Sequence, residues 1–477
     1  MSRPCWDEAA MNIDPPLWQQ AAAALATGAS VFVALWAEPA GDAAVVHLAT
    51  RPHGSGAISV LSLAAEGGHF PSIARHHPGA ILMERALCDL HGLAADDTPD
   101  PRPWLDHSAA YEFKPALGPG IHQIPVGPVH AGIIEPGHFR FSVNGETVVR
   151  LEVRLGYTHK ATLGLMRGQT IGHGARLAGR ISGDSTVAYA FAFARAAEQA
   201  LGIAAPPRAA ALRGVMAELE RLANHFGDIG AICNDGGFPL MHALTAGLRE
   251  RVLRLCAACF GHRLMMDIII PGGVARDLSA DNAALLRAGL PDLLAQWRRL
   301  FELYEKTASL QDRVATTGRL DPAIARRLGC GGYVGRASGQ DFDARRDAPY
   351  PPYDTGRFAV PCRTGGDVDA RLRIRMAELD QSAALIDNLL ATLPHGALQT
   401  ALPTPAGPTT GHALIEGFRG DIFAHVRLHN GMVEDAMLRD PSWFFWPALE
   451  TAIAGNIVAD FPLCNKSFNP SYSGCDL

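Results

Sequence analysis

The segment GRISGDST, residues 179–186, places polar side chains at short spacing inside a frame of glycine and other small residues. Ser182 and Ser185 are three residues apart, and Asp184 lies between them. Their hydroxyls stay protonated at neutral pH and are hard, weak donors, so the segment is a poor site for a metal that prefers thiolates. The chemistry left to it is hydrogen bonding and, through Asp184, proton transfer.

A second candidate is the segment GPVHAGIIEPGHFRF, residues 127–141, which contains His130, Glu135 and His138. A glutamate beside histidines relays protons when it is buried and its pKa is tuned. The alternative is a loop whose polar groups cap strand ends, and the same alternative applies to GYTHK, residues 156–160. The sequence alone favours capping.

The nine cysteines form an odd, scattered set with no secretory signal ahead of them, which indicates reduced thiols in a cytosolic protein. Cys256 and Cys259 have the spacing of a metal-binding pair, but such a site needs four ligands and no second comparable pair is present. Because both lie in an apolar helical pattern, we predict small buried residues rather than ligands.

The loop RASGQDFDARRDAPYPPYD, residues 336–354, is rich in arginine and aspartate. Such a loop forms either a buried ion network or an anion site. Alternating Arg and Asp usually satisfy each other, so the sequence favours the network.

Length and composition limit the classes of function. A chain of 477 residues predicts two or three domains, and a net charge of -6 without a dense basic run argues against nucleic acid and anionic membranes as partners. The most apolar stretches, VFVALWA and LMMDIII, are far shorter than the roughly 20 residues of a spanning helix. We therefore expect membrane association only through partner proteins.

The elements that position these residues follow from the hydrophobic pattern. Alternating apolar runs bounded by Gly and Pro predict a small α/β domain within residues 1–115, ending in a linker rich in Asp and Pro. A larger domain, residues 116–477, opens with a hairpin whose Asn144-Gly145 suits a type I′ turn. Long helical patterns then predict a bundle, and a second hairpin turns at Asn430-Gly431. The predicted fold class is α+β.

Together these segments resemble the large subunit of membrane-bound, energy-converting NiFe hydrogenases and its relative, the 49 kDa subunit of respiratory complex I. This resemblance covers about residues 120–477. The N-terminal domain that precedes them is similar to the complex I 30 kDa subunit, so the whole chain resembles a fusion of the two subunits. The segments that carry it are GPVHAGIIEPGHFRF, GYTHK, ELERLANHFGDIGAI, GGVARDL, RASGQDFDARRDAPYPPYD, EGFRGD and VADFPL, with FPSIARHHPGAILMERALCDLHGL and DPRPW in the N-terminal part.

The resemblance implies that a metal site has been lost. In the hydrogenases two pairs of cysteines hold nickel and iron; here the first pair falls on Ser182 and Ser185, and the second on Ser471 and Gly474. Shifting the second pair by one residue brings Cys475 to its second position, which still yields one thiol of four. We therefore expect no metal and no cofactor held by this chain itself.

The resemblance also implies a quinone site, because the complex I relative uses the vacated cavity for the quinone headgroup. The two headgroup residues of that family fall on Ile134 and near Gly183, so other donors are needed, and we expect them among His130, Ser182, Asp184 and Ser185. In such a cavity an unpaired Asp184 has a raised pKa and suits a proton carrier. Two alternatives remain open: Arg180 holds Asp184 ionised, or Asp184 caps the helix that begins near Ser185.

By resemblance, then, the chain is a peripheral subunit on the cytoplasmic side of a complex I-like or hydrogenase-related membrane oxidoreductase complex. Its implied partners are a small iron–sulfur protein with a 4Fe-4S cluster and membrane subunits that translocate ions. Glu135, His138 and Asp184 would relay protons while quinone accepts electrons. NAD would bind elsewhere, since no Gly-rich dinucleotide turn follows a strand. The alternatives are a scaffold without redox chemistry and an active hydrogenase subunit.

Overall fold

The computed structural model describes residues 15–41, 43–130, 134–355 and 358–477. The N-terminal part alternates short strands with two helices. Its elements are α1 (Pro15–Thr27), β1 (Ser30–Ala40), β2 (Ala43–Pro52), β3 (Ser59–Ala64), β4 (His69–Pro71), α2 (Ile81–His91) and β5 (Ala94–Asp96).

The remainder begins with a second sheet and then becomes helical. Its first elements are β6 (Ile121–Val126), β7 (His138–Asn144), β8 (Thr147–Arg154), α3 (Thr162–Met166), α4 (Ile171–Ala178), α5 (Thr186–Ala200), α6 (Pro207–Asp235), α7 (Pro239–Phe260), β9 (Ile269–Ile270), β10 (Gly273–Val274) and α8 (Ala280–Lys306). The elements that follow are α9 (Ala308–Val314), α10 (Pro322–Leu328), α11 (Gly332–Ala337), α12 (Ala344–Asp347), α13 (Val368–Ala391), β11 (Thr409–Glu416), β12 (Asp421–His429), β13 (Met432–Arg439), α14 (Ser442–Ala452), α15 (Phe461–Phe468) and α16 (Ser473–Asp476).

The N-terminal part is a three-stranded antiparallel sheet of order β1-β2-β3, beside a short parallel pair of β4 and β5. Helix α2 packs on β1, and the buried faces of both elements join one core with the larger part of the chain. The predicted α+β class is confirmed. No helix among the described residues is long and apolar enough to cross a membrane. The division at residue 115 stays a prediction.

Both predicted hairpins form, but their turns differ. In the first, Asn144 pairs with Thr147, and only Gly145 of the predicted turn pair has a positive φ. A type I′ turn needs two such residues, so this prediction of turn type is wrong. In the second hairpin both Asn430 and Gly431 have positive φ, as a type I′ turn requires.

The helical bundle is built around α6, which is buried along nearly its whole length between α7 and α13. Small residues allow this close packing: a Cβ at Gly230 would lie 2.1 Å from the Thr245 hydroxyl of α7, and one at Gly214 would lie 2.4 Å from Pro352. Because α6 is buried on all sides, its charged residues must find partners inside the protein. These partners come from α5, from α12, from α13 and from the turn between β11 and β12.

Candidate functional site

Three of the four positions predicted for a lost metal site meet in the folded chain. Ser182 and Ser185 precede α5, Ser471 precedes α16, and all three are buried. The Ser182 and Ser471 hydroxyl oxygens are 3.0 Å apart, although 289 residues separate them in sequence. The fold therefore brings the N-terminal end of α5 and the C-terminal turn of the chain to one point, which we call the serine cluster.

Asp184 accepts hydrogen bonds from this cluster and is paired with Arg419. The Ser182 hydroxyl donates to Asp184 at 2.9 Å and the Ser185 hydroxyl at 3.0 Å. Arg419 donates to both carboxylate oxygens through Nη1 at 2.7 Å and Nη2 at 2.5 Å. Burial alone would raise the pKa of Asp184, but the Arg419 charge and the two hydroxyls outweigh it and hold the pKa below its ordinary value.

These contacts decide between the alternatives for Asp184. Arg180 does not hold it; the Arg180 guanidinium pairs with Asp267 instead, at 2.5 and 2.7 Å. Capping of α5 by Asp184 is also wrong, because the N-cap residue is Ser185 and the first amides of the helix donate to Glu220 rather than to Asp184. The condition for a raised pKa, an unpaired carboxyl, is not met.

Arg419 lies in the turn between β11 and β12 and ties three segments together. Its Nε donates to the Asn469 carbonyl at 2.7 Å, while its other nitrogens reach the segment before α5. The turn itself is held by Arg221 of α6, which donates to the carbonyls of Glu416 and Gly417 at 2.8 Å. A buried guanidinium with this many partners fixes the geometry of the site.

The fourth predicted position, Gly474, has no room for a side chain. A Cβ placed there would lie 2.8 Å from the Asp440 carboxyl carbon, and Asp440 is itself held by the Tyr189 hydroxyl at 2.6 Å. The neighbouring Cys475 is fully buried, and burial, Asp440 and Asp476 raise the pKa of its thiol. Cys475 is therefore a protonated thiol, a weak metal ligand.

GYTHK positions the serine segment. The Lys160 ammonium donates to the carbonyls of Arg180 at 2.9 Å and Ile181 at 2.8 Å. Thr158 donates to the Asp476 carboxylate through its amide and hydroxyl. These residues cap and join chain segments, as the structural alternative for this motif predicts.

The residues of the second candidate segment are only partly brought together. Glu135 reaches the C-terminal turn, where it accepts from the Ser473 amide at 3.1 Å. His138 has other partners, the Gly127 carbonyl at 3.2 Å and Arg140, and burial and the Arg140 charge lower its pKa. His130 is half-buried next to residues 131–133, which lie outside the described residues. A relay through these residues stays a prediction.

A cavity of about 230 Å³ lies on the other side of the loop that carries Asp184. The loop residues Gly183 and Asp184 form one wall, α6 and α7 form two more, and the loop after α7 closes it. Cys256 of α7 lines this cavity. Both Cys256 and Cys259 are buried, which confirms the prediction that they are small buried residues in an apolar helix. We call this space the α6–α7 cavity.

Glu220 of α6 also lines the α6–α7 cavity, and the sequence did not identify this carboxyl group as a candidate. Its carboxyl group accepts from the first amides of α5, those of Val187 at 2.7 Å and Ala188 at 3.0 Å. Burial raises the pKa of Glu220 to about 8, more than these two hydrogen bonds lower it. Its one sequence signal was an acidic residue inside the apolar pattern of ELERLANHF, which predicts a buried carboxyl only once the helix is known to be buried on all sides.

The arginine-rich loop forms the predicted ion network. Arg336 donates to Glu378 at 2.6 Å and to Glu416 at 2.8 Å, and Arg345 donates to Glu218 at 2.9 Å. All of these side chains are fully buried. Within the described part of the chain, no three His, Cys, Asp or Glu side chains lie close enough to hold a metal ion.

Comparison with known proteins agrees with this architecture. Residues 235–413 match the family described as respiratory-chain NADH dehydrogenase, 49 Kd subunit. Formate hydrogenlyase subunit 5 of Escherichia coli is 30% identical over 443 residues, which cover 85% of this chain and 77% of that protein. A component of the NADH-quinone oxidoreductase of Desulfotalea psychrophila is 28% identical over 349 residues, or 70% of this chain and 91% of that protein.

A solved structure shows the same fold. It belongs to the membrane-bound sulfane sulfur reductase, an archaeal respiratory membrane complex. The superposition has a TM-score of 0.70 at 24% identity and covers 75% of this chain and 99% of the chain compared.

Proposed function

The chain belongs to the family formed by the large subunits of membrane-bound, energy-converting nickel–iron hydrogenases and the 49 kDa subunits of respiratory complex I, and from this premise we propose that it shapes an electron-acceptor cavity without a metal centre of its own. The observation that carries the proposal is the serine cluster with its Asp184–Arg419 pair, which occupies the predicted metal-ligand positions.

The residues at these positions do not fit a nickel–iron centre. Such a centre takes soft thiolates, whereas the cluster offers three neutral hydroxyls and a glycine. The hydroxyls are also already engaged with Asp184, with one another and with Arg419. A cysteine at position 474 would displace Asp440. We therefore derive no reaction step through a metal held by this chain.

A quinone is the acceptor that we propose, and the α6–α7 cavity is the space that we assign to it. The cavity borders Gly183 and Asp184, and its walls are mostly apolar, as suits a ring system. Reduction of a quinone to a quinol takes up two electrons and two protons. Because the pKa of Glu220 is about 8, its carboxyl holds a proton at neutral pH and supplies one of the two, while solvent water supplies the second and the partner iron–sulfur protein the electrons. We assign the proton-carrier role to Glu220, since Asp184 is held ionised by Arg419.

The relatives support a place in a larger assembly. One is a subunit of formate hydrogenlyase, one is a subunit of an NADH-quinone oxidoreductase, and the structural neighbour comes from a respiratory membrane complex. We propose that this chain works in the same kind of complex, beside a partner iron–sulfur protein that delivers electrons and membrane subunits that move ions. Without clusters of its own, the chain would contribute the cavity and a proton.

A scaffold without redox chemistry is the second candidate. The observation that favours it is the extent of the buried ion network, which joins α6, α11, α12, α13 and the end of β11 into one rigid unit. A rigid unit of this kind suits a coupling element as well as a catalytic one.

The test is quinone reduction by the purified complex, supplied with a low-potential electron donor, and compared with a preparation that lacks this chain. We expect activity that requires the chain and less than one nickel atom per ten chains by elemental analysis. Glu220→Gln is expected to lower turnover by about 10²-fold or more, the size of a general-acid contribution. Glu302→Gln, an exposed residue of α8, is the matched control and leaves turnover unchanged.

Two results would contradict the proposal. Nickel at one atom per chain would restore the hydrogenase assignment. Absence of quinone reduction, in a complex that retains its iron–sulfur and membrane partners, would favour the scaffold.

A further inference from the structure

The α6–α7 cavity contains one cation that the structure leaves unused. Arg249 of α7 lines the cavity and is half-buried. Within the described residues its guanidinium makes no hydrogen bond and no ion pair, whereas its neighbours on the helix do: Arg251 donates to Asp292 at 2.6 Å and Arg254 to Glu250 at 3.0 Å. The donors of this guanidinium therefore face no acceptor among the described residues and are free to donate to a molecule bound in the cavity.

The position of Arg249 depends on a glycine in the facing helix. A Cβ at Gly227 of α6 would lie 3.0 Å from Cδ and 3.2 Å from Nε of Arg249. The side chain therefore lies across the bare backbone of α6 at Gly227. Any larger residue there would push the guanidinium away, because contacts this short are tighter than ordinary van der Waals distances.

The other charged side chains of the cavity have partners or are neutral. Asp184 is paired with Arg419, and Arg263 is paired with Glu250 at 2.8 Å. Burial raises the pKa of Glu220 to about 8, so its carboxyl is neutral at pH 7. Arg249 is thus the charge that distinguishes this cavity from a neutral apolar pocket.

We propose that Arg249 anchors the ligand of the α6–α7 cavity by donating to an oxygen of a single-ring molecule, whose ring packs against the apolar wall. This inference rests on the proposed function and adds the residue that orients the acceptor. The wall that faces the ring includes Leu219, Leu253 and Leu264. A cavity of about 150 Å³ accommodates benzene, so one of about 230 Å³ admits a substituted ring. The oxygen belongs either to a quinone carbonyl or to a carboxylate, since both accept from a guanidinium.

Binding of two probes to the purified complex tests the inference and separates the two oxygen types. Duroquinone supplies neutral carbonyls and benzoate supplies a carboxylate on a ring of similar size. Arg249→Met is expected to weaken binding of the true type of ligand by about 10–100-fold, the size of a hydrogen bond to a charged group. Arg251→Met, which removes an exposed ion pair between the same helix and Asp292 of α8, leaves binding unchanged.

A second variant keeps the arginine and moves it. Gly227→Ala is expected to weaken binding of the same probe without removing the positive charge. If the thermal midpoint of Arg249→Met equals that of the wild type, its loss of binding is not caused by loss of folding. Equal binding by wild type and Arg249→Met overturns the role of Arg249 and leaves the acceptor cavity in place. If the wild type does not bind duroquinone, the acceptor cavity fails; the anchoring role fails with it only if benzoate is not bound either.

Discussion

At the scale of single residues, hydrogen bonds join the side chains that lie at the predicted metal-ligand positions. Asp184 accepts from two serine hydroxyls and from both ends of the Arg419 guanidinium, so each polar group of the buried cluster has a partner. Removal of Asp184 from this pair is costly, because the Arg419 charge is buried and would be left without its counter-charge. The pair therefore sets the position of the loop that borders the α6–α7 cavity.

Glu220 gives the residue-scale prediction, which concerns pH. Its pKa is about 8 in the folded chain against 4.5 for an ordinary glutamate. Between these values the unfolded chain has released the proton while the folded chain keeps it, so stability falls as pH rises through this window. We expect Glu220→Gln to gain stability relative to wild type over the same window, by at most about 1.4 kcal/mol per pH unit. Urea unfolding from pH 5 to pH 9 measures this.

Parallel pH profiles of wild type and Glu220→Gln would show that the carboxyl is ionised throughout and would remove it as a proton carrier. Glu302→Gln, in which the changed side chain is 69% exposed, serves as control and should follow the wild-type profile.

At the scale of elements, the turn between β11 and β12 is the part that carries Arg419 to the site. The start of α11 packs directly on it: a Cβ at Gly332 would lie 1.7 Å from the Arg419 carbonyl oxygen, and Gly332 has a φ of +56°. Helix and turn can approach this closely only because Gly332 has no side chain. The geometry of the Asp184–Arg419 pair therefore depends on Gly332, which contacts neither the Asp184 carboxylate nor the α6–α7 cavity.

Gly332→Ala is the element-scale prediction. The added methyl group must move the turn backbone and also strains a left-handed φ, so we expect a loss of stability of about 3 kcal/mol or more and weaker quinone binding. Gly237→Ala is the control, because that glycine has a similar φ of +87° but no atom within 4 Å of the added carbon. Its expected cost is the backbone strain alone, about 1–2 kcal/mol. Equal costs for the two variants, measured by chemical unfolding, would contradict the role of the close approach.

At the scale of the whole molecule, a buried polar seam joins the N-terminal sheet to the last sheet. Glu38 of β1 accepts from Arg427 of β12 at 2.6 Å, and both side chains are buried. Trp36 packs against the rings of both His47 and His425, with centroids 5.0 and 4.9 Å away, and the two histidine rings are 6.1 Å apart. The N-terminal part is therefore packed against the large part by specific contacts rather than connected only by a linker.

Glu38→Gln is the whole-molecule prediction. It leaves Arg427 without its buried counter-charge, and we expect a loss of about 3 kcal/mol in the free energy of unfolding. Arg427 also pairs with Glu434, whose side chain is 28% exposed, at 2.8 Å. Glu434→Gln is therefore a matched control on the same arginine, with an expected cost of about 1 kcal/mol or less.

If Glu38→Gln and Glu434→Gln lower the free energy of unfolding by the same amount, the buried seam does not contribute to stability as proposed. Limited proteolysis gives an independent measurement: cleavage between residues 97 and 120, which contain no helix or strand, should be faster in Glu38→Gln than in Glu434→Gln.

The sequence by itself determined the secondary structure and the family. Hydrophobic periodicity predicted the long helices and both hairpins, because these patterns depend on neighbouring residues. Ordered motifs along the chain predicted the family, and Ser182, Ser185 and Ser471 were identified as a group through it. The first hairpin shows the limit: the dipeptide Asn144-Gly145 predicted the hairpin but not the turn type, which depends on the pairing of the flanking strands.

Only the tertiary structure decided the partners of the charged residues. Arg180 is four residues from Asp184 in sequence, yet the partner is Arg419, which is 235 residues away. The roles that we propose for Glu220 and Arg249 likewise depend on tertiary structure, because the cavity that both line lies between two helices and no local sequence pattern predicts it. The physical reason is that pKa and pairing depend on burial and on distance in space, and both are established only when distant segments pack together.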